Sequence, residues 1–260
     1  MSRLTDAFKN KNGKAFVPFV TGGDPSADFT VKLILEMEKA GADVVEIGVP
    51  FSDPIAEGPV IQEANIRALS AGMTTDGIFE IVKRVREKSQ IPLCLMGYLN
   101  PVFHYGYDRF FEKCKETGVD GIIIADMPYE EKGEAQEIAS KYGIDIVSLI
   151  APTSEERIQM IAKEATGYIY LVSSLGVTGV RTEITTDVEG IAKAIKSVTD
   201  VPVAIGFGIS TPVQAADMAS KSDGAIVGSA IVRMIAAEGE ASFDKVVSYV
   251  KDMAAAVHAL

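Results

Sequence analysis

The chain has 260 residues, 47% of them hydrophobic and 23% charged, a composition that can bury a large globular core. Its net charge of −11 argues against nucleic acid and anionic membranes as partners, so a phosphorylated ligand would need a local binding device. Two histidines and two cysteines leave little material for zinc or redox chemistry.

Residues 1–16 lack the apolar core of a signal peptide, and no apolar run approaches membrane-spanning length. Cys94 and Cys114 fit no metal or redox spacing, which points to packing roles and a reducing cytoplasm. His104, in a Pro- and Gly-flanked loop, and His258, in a fraying tail, are expected at the surface.

Short β-rich runs then alternate with amphipathic helical stretches. Strands are predicted at residues 15–21, 43–49, 92–98, 121–126, 145–151, 168–173, 201–206 and 224–227. Helices are predicted at 29–40, 75–88, 107–117, 131–142, 154–164, 187–197, 211–219 and 243–257, with an additional one at 60–71. The β runs are continuous rather than alternating, as in a parallel sheet covered on both faces. Eight β/α units with no linker or charge block predict an α/β chain folded as one (β/α)8 TIM barrel with extra helices, spanning 1–260. A doubly wound open sheet would call for a nucleotide fingerprint, and no GxGxxG follows the first run.

The most informative segment is DVVEIGVPFSDPIAEGP, residues 43–59. Glu46 interrupts an apolar run where a barrel strand points inward, and Glu57 lies in the Pro- and Gly-rich loop that follows. A carboxylate inside a strand is costly to bury unless it is hydrogen-bonded or used. A lone one reads equally as a structural ion pair, but a second acid in the adjoining loop favours catalysis.

In barrels of this type the loops after the seventh and eighth strands, with a helix N-terminus, often cradle phosphate. Here Gly206, Phe207 and Gly208 close the seventh run, and Gly228 and Ser229 close the eighth. Neither turn carries Lys or Arg, so binding would rest on backbone amides, the helix dipole and the Ser229 hydroxyl. Residues 175–181, rich in glycine and small side chains, are expected to form a mobile lid, with an ordinary flexible loop as the plainer alternative. Tyr98, Asn100, Asp126 and Tyr170 lie at strand ends, where polar residues line barrel sites or simply edge the core. With apolar Phe19, Leu95, Ile61 and Phe207 nearby, the site suits general acid–base chemistry on a phosphorylated ligand with an apolar portion. No metal cluster, nucleophile motif or strand-end Schiff-base lysine is evident.

FVPFVTGGDP (16–25), EIGVPFSDPIAEGP (46–59), GVTG (176–179), GFGIS (206–210) and GSAIV (228–232) together resemble the tryptophan synthase α subunit family over essentially the whole chain. That resemblance implies a (β/α)8 barrel cleaving indole-3-glycerol phosphate to indole and glyceraldehyde 3-phosphate without a cofactor. It also implies an α2β2 complex, in which indole passes to a pyridoxal-phosphate β subunit. By resemblance Glu46 is the catalytic proton shuttle and Glu57 the second acid, where the family usually has Asp. Phe19, Ile61 and Tyr170 match substrate-pocket positions, and Thr178 a lid residue. Gly179, Gly208, Gly228 and Ser229 match phosphate contacts, and Asp53 and Pro54 the loop that meets the β subunit. Two alternatives accompany this expectation: a stand-alone lyase releasing free indole, and a catalytically weak α-like protein that mainly activates a β subunit.

Overall fold

The computed structural model describes residues 2–9, 13–173, 187–206 and 208–260. Nine parallel strands form one sheet: β1 (Ala15–Thr21), β2 (Val45–Gly48), β3 (Leu93–Gly97), β4 (Gly121–Ile124), β5 (Asp145–Ile146), β6 (Ser148–Ile150), β7 (Ile169–Val172), β8 (Val203–Gly206) and β9 (Gly224–Val227). Their order is β5-β4-β3-β2-β1-β9-β8-β7-β6. The two ends of this order are consecutive in the chain and separated only by Val147. The single strand expected at 145–151 is therefore one barrel strand in two pieces, the first paired to β4 and the second to β7. The result is a (β/α)8 barrel wrapped by helices.

Side-chain alternation divides the core into two shells. Ala15, Val17, Val44, Cys94, Ile123, Tyr168, Ala204 and Ile226 fill the barrel interior. Val20, Ile47, Leu95, Ile122, Leu171 and Ile205 point outward and pack against the helices. Leu95 is thus corrected: its neighbours Cys94 and Met96 take the inward positions, so period-two geometry turns Leu95 away from the site. Cys114 packs in the outer shell, and both cysteines are buried and unpaired with each other.

Two helices were not anticipated from sequence, and a third was expected only as a helix start after Gly228 and Ser229. The helix Arg3–Lys9 plugs the N-terminal end of the barrel with Leu4 and Phe8, and the Phe8 ring lies 5.4 Å from that of Tyr168. Burying each such side chain contributes about 1.5–3 kcal/mol. The helix Leu99–Tyr105 carries His104, which is exposed but helical rather than in a loop. The third, Ser229–Glu238, starts at the end of β9. His258 belongs to the ordered helix Phe243–His258, not to a fraying tail; its Nε2 lies 2.8 Å from Asp43 Oδ2. The same carboxylate oxygen accepts the Phe16 N–H at 2.8 Å, tying the last helix to β1.

Candidate active site

The C-terminal strand ends open onto a cleft of about 500 Å³, lined by Phe19, Glu46, Glu57, Ile61, Met96, Tyr170, Gly208, Ile209, Ile226, Gly228 and Ser229. Eight of these were predicted from sequence. The inward register explains how distant segments meet here: Phe19 pairs across to Glu46, and Glu46 to Cys94.

Two glycines make room for the aromatic walls. A Cβ on Gly48 would sit 2.7 Å from Phe19 Cζ, and one on Gly206 would sit 2.2 Å from the Tyr170 hydroxyl. Neither ring could hold its place against any larger residue at those strand ends.

Glu46 is 1% exposed and accepts a hydrogen bond from the Tyr168 hydroxyl at 2.5 Å. Burial pushes its carboxyl up from 4.5 to about 8, with the Tyr168 hydrogen bond opposing part of that rise. At neutral pH Glu46 is accordingly a carboxylic acid, able to give a proton into the cleft.

Glu57 is held from three sides. Asn65 Nδ2 donates to its Oε2 at 2.8 Å, Gln62 Nε2 donates to its carbonyl at 2.7 Å, and the Ala56 N–H before it donates to the Tyr98 hydroxyl at 3.1 Å. Burial raises Glu57 to about 7, and the Asn65 hydrogen bond acts the other way. Near neutral pH it is divided between acid and carboxylate, whereas Glu46 keeps its proton. Two carboxyls with different protonation states thus face one apolar cleft, a division of labour suited to acid–base catalysis.

Asn65 and Ile61 both belong to the helix Pro59–Ser70, whose start is shaped by Gly58 and a proline at its first position. Arg67 on that helix donates to both oxygens of buried Asp24, at 2.9 and 2.8 Å, bracing it against the loop after β1. Packed beside that helix, with Val232 clustered against Ile61 and Ala64, Gly228 and Ser229 begin the helix Ser229–Glu238, so its unpaired N–H groups and positive end lie at the cleft. Gly208 lines the same side with φ of +78°.

Tyr98 braces the Glu57 loop, and Asp126 Oδ1 accepts the Leu99 N–H at 2.7 Å at a helix start; neither lines the cleft. Asn100 is exposed on the helix Leu99–Tyr105. Asp53 is also exposed and Pro54 partly so, both on the rim. Thr178, Gly179, Phe207 and the loop expected as a lid lie outside the described residues.

Sequence reasoning missed Tyr168, Asn65, Met96, Ile209 and Ile226. Tyr168 precedes Tyr170 by two residues on one strand face, and Asn65 follows Ile61 by four on one helix face. The two periodicities could have flagged both.

The family profile described as "Tryptophan synthase alpha chain" matches residues 5–258. A tryptophan synthase alpha chain from Lacticaseibacillus casei is 48% identical over 259 residues, covering 100% of this chain and 97% of the relative. Tryptophan synthase subunit alpha from Legionella pneumophila str. Paris superposes with a TM-score of 0.90 at 36% identity, covering 100% of both chains. A Pyrococcus furiosus chain, described within a tryptophan synthase a2b2 complex, gives a TM-score of 0.85 at 36% identity. That match covers 93% of this chain and 98% of the other.

Proposed function

The chain belongs to the tryptophan synthase alpha chain family, lyases of tryptophan biosynthesis, and from that premise we propose that it cleaves indole-3-glycerol phosphate to indole and glyceraldehyde 3-phosphate. The observation that carries this reading is the pairing of a protonated Glu46 with a partly ionised Glu57 across one apolar cleft.

In this mechanism Glu46 protonates the indole ring carbon that bears the glycerol chain, leaving a cationic ring that acts as an electron sink. The carbon–carbon bond breaks and its electron pair returns to the ring. The hydroxyl on the adjoining glycerol carbon loses its proton to the Glu46 carboxylate and becomes the aldehyde, which regenerates the acid. Glu57 accepts a hydrogen bond from the indole N–H as positive charge develops there. Asn65 occupies one of its oxygens and leaves the other for the substrate. Phe19, Ile61 and Tyr170 enclose the indole, with apolar Phe207 assigned to the same pocket from its place after the seventh strand and Thr178, by resemblance, to the lid that closes onto the second acid. Gly208, Gly228 and Ser229, with Gly179, receive the phosphate on backbone amides and a helix N-terminus.

The partner in this reading is a tryptophan synthase β subunit in an α2β2 heterotetramer, docking on the rim at Asp53 and Pro54. Ile55, beside them, is a large apolar side chain 74% exposed, which suits a surface that is covered in a complex. A steady-state assay of indole release, with and without purified β subunit, tests the whole assignment. Cleavage that rises in the complex is expected. Fast release of free indole by the isolated chain would mean a stand-alone lyase, and no cleavage even in the complex would mean an activator.

A further inference from the structure

A second, larger cavity lies where the barrel strand breaks into β5 and β6. Its free space, partly open to solvent, is about 1210 Å³, and it shares no lining residue with the catalytic cleft. Its walls are mainly apolar, with Ile124, Met127, Ile146, Leu149 and Ile161 among them.

Into this apolar wall the fold places Lys132, only 8% exposed. Its Nζ donates to Ser148 Oγ at 3.0 Å, and that is the only hydrogen bond it makes among the described residues. An ammonium has three N–H donors, so two have no protein partner among the described residues. No described carboxylate forms an ion pair with it; Glu164 and Asp145 act on it only through space. Arg157, the other cation of the cavity, is already held by Glu130 at 2.8 and 3.1 Å.

The position is unfavourable for a lysine in a second way. Lys132 is the first residue of the helix Lys132–Tyr142, at the positive end of its dipole, where a cation is destabilising. Burial lowers its pKa by stripping water from the ammonium, and a bound anion would raise it again by Coulombic attraction. A buried cation lacking an ion-pair partner, at a helix N-terminus and facing a roomy apolar cavity, is a costly arrangement that one anion would relieve.

We propose that this cavity is a second ligand site, for a small organic carboxylate whose apolar body fills the pocket and whose charged group pairs with Lys132 Nζ. The two free N–H donors match the two oxygens of a carboxylate, and one cation balances a monoanion; a phosphate dianion would find too few donors. The site is independent of the reaction assigned to Glu46 and Glu57.

Calorimetry on the full chain tests this with two probes of one shape, 3-phenylpropionate and its neutral amide. The carboxylate is expected to bind at least ~10-fold more tightly than the amide at about pH 7, and Lys132→Met should erase that preference. Thermal melting checks that the variant is folded. Should it not fold, the wild-type preference is followed from about pH 7 to about pH 11, past the ordinary lysine value, across which it should fade as the lysine loses its proton. Equal affinity of the wild type for acid and amide overturns the proposal. So does a preference that survives Lys132→Met, or one that stays constant across the pH series.

Discussion

The Tyr168 hydroxyl lies 2.5 Å from Glu46 Oε1, joining residues 122 positions apart inside the barrel. This hydrogen bond favours the ionised carboxylate and partly offsets the burial that holds Glu46 at about 8. Tyr168→Phe keeps the packing and removes the donor, so Glu46 should titrate higher still. The loss of kcat/KM as pH rises past about 8 should move to higher pH in the variant. A pH profile whose alkaline limb stays in place would separate Tyr168 from the proton transfer.

Glu46→Gln should lower cleavage by ~10²–10⁴-fold while the chain stays folded and retains glycerol phosphate. The amide copies the shape of the acid but cannot give up and regain a proton. Single-turnover assays in the complex read this directly, and activity within a few-fold of wild type would take Glu46 out of the mechanism.

The same substitution should stabilise the protein in alkaline conditions. The unfolded chain releases the Glu46 proton near 4.5, whereas the folded state keeps it until about 8. Between these values unfolding releases a proton, so this contribution is fully present below 4.5 and is lost as pH rises through 8. At ~1.36 kcal/mol per unit, the whole effect is on the order of several kcal/mol. Urea denaturation from pH ~5 to ~8 should show Glu46→Gln gaining on wild type as pH rises. A difference that stays flat would mean Glu46 is not held neutral.

Glu57→Asp should lower kcat in the complex. The cleft around Glu57 is built for the longer side chain: Asn65 meets its Oε2 at 2.8 Å, and the flanking backbone is fixed by Gln62 and Tyr98. Withdrawing the carboxylate by about one methylene breaks contact with Asn65 or with the indole N–H, and a ~1 Å misplacement can cost ~10²-fold. A large gain in kcat instead would mark Glu57 as an impairment and move the activator reading ahead.

Gly228→Val should weaken glycerol phosphate and raise the substrate KM. Even a Cβ would come within 3.2 Å of the Phe19 ring, and the branched side chain would stand over the first amides of the helix Ser229–Glu238. Calorimetry with glycerol phosphate on the folded variant checks this; unchanged affinity would place the phosphate elsewhere.

The order and type of the barrel strands were legible in the sequence because a buried parallel strand reads as a continuous apolar run. The first and last were placed residue for residue, Ala15–Thr21 and Gly224–Val227. Glu46 stood out for the same reason: a charge inside such a run conflicts with burial unless it has a use. Gly228 and Ser229 were legible because a glycine turn after a final strand marks a helix start.

What the one-dimensional pattern does not carry is which side chains meet across the barrel. Leu95 and Met96 are equally apolar, and only the register of β3 against β2 and β4 turns one outward and the other into the cleft. Tyr168 and Glu46 lie far apart in the chain, and their hydrogen bond exists because barrel closure brings opposite strands within reach. The same closure removes water from Glu46 and lifts its pKa. It also leaves Lys132 buried at the break between β5 and β6 with a serine hydroxyl as its side chain's only hydrogen-bond partner among the described residues. Residue types and their spacing settled which groups were available. Burial and long-range geometry, properties of the folded chain alone, decided their partners and their charge.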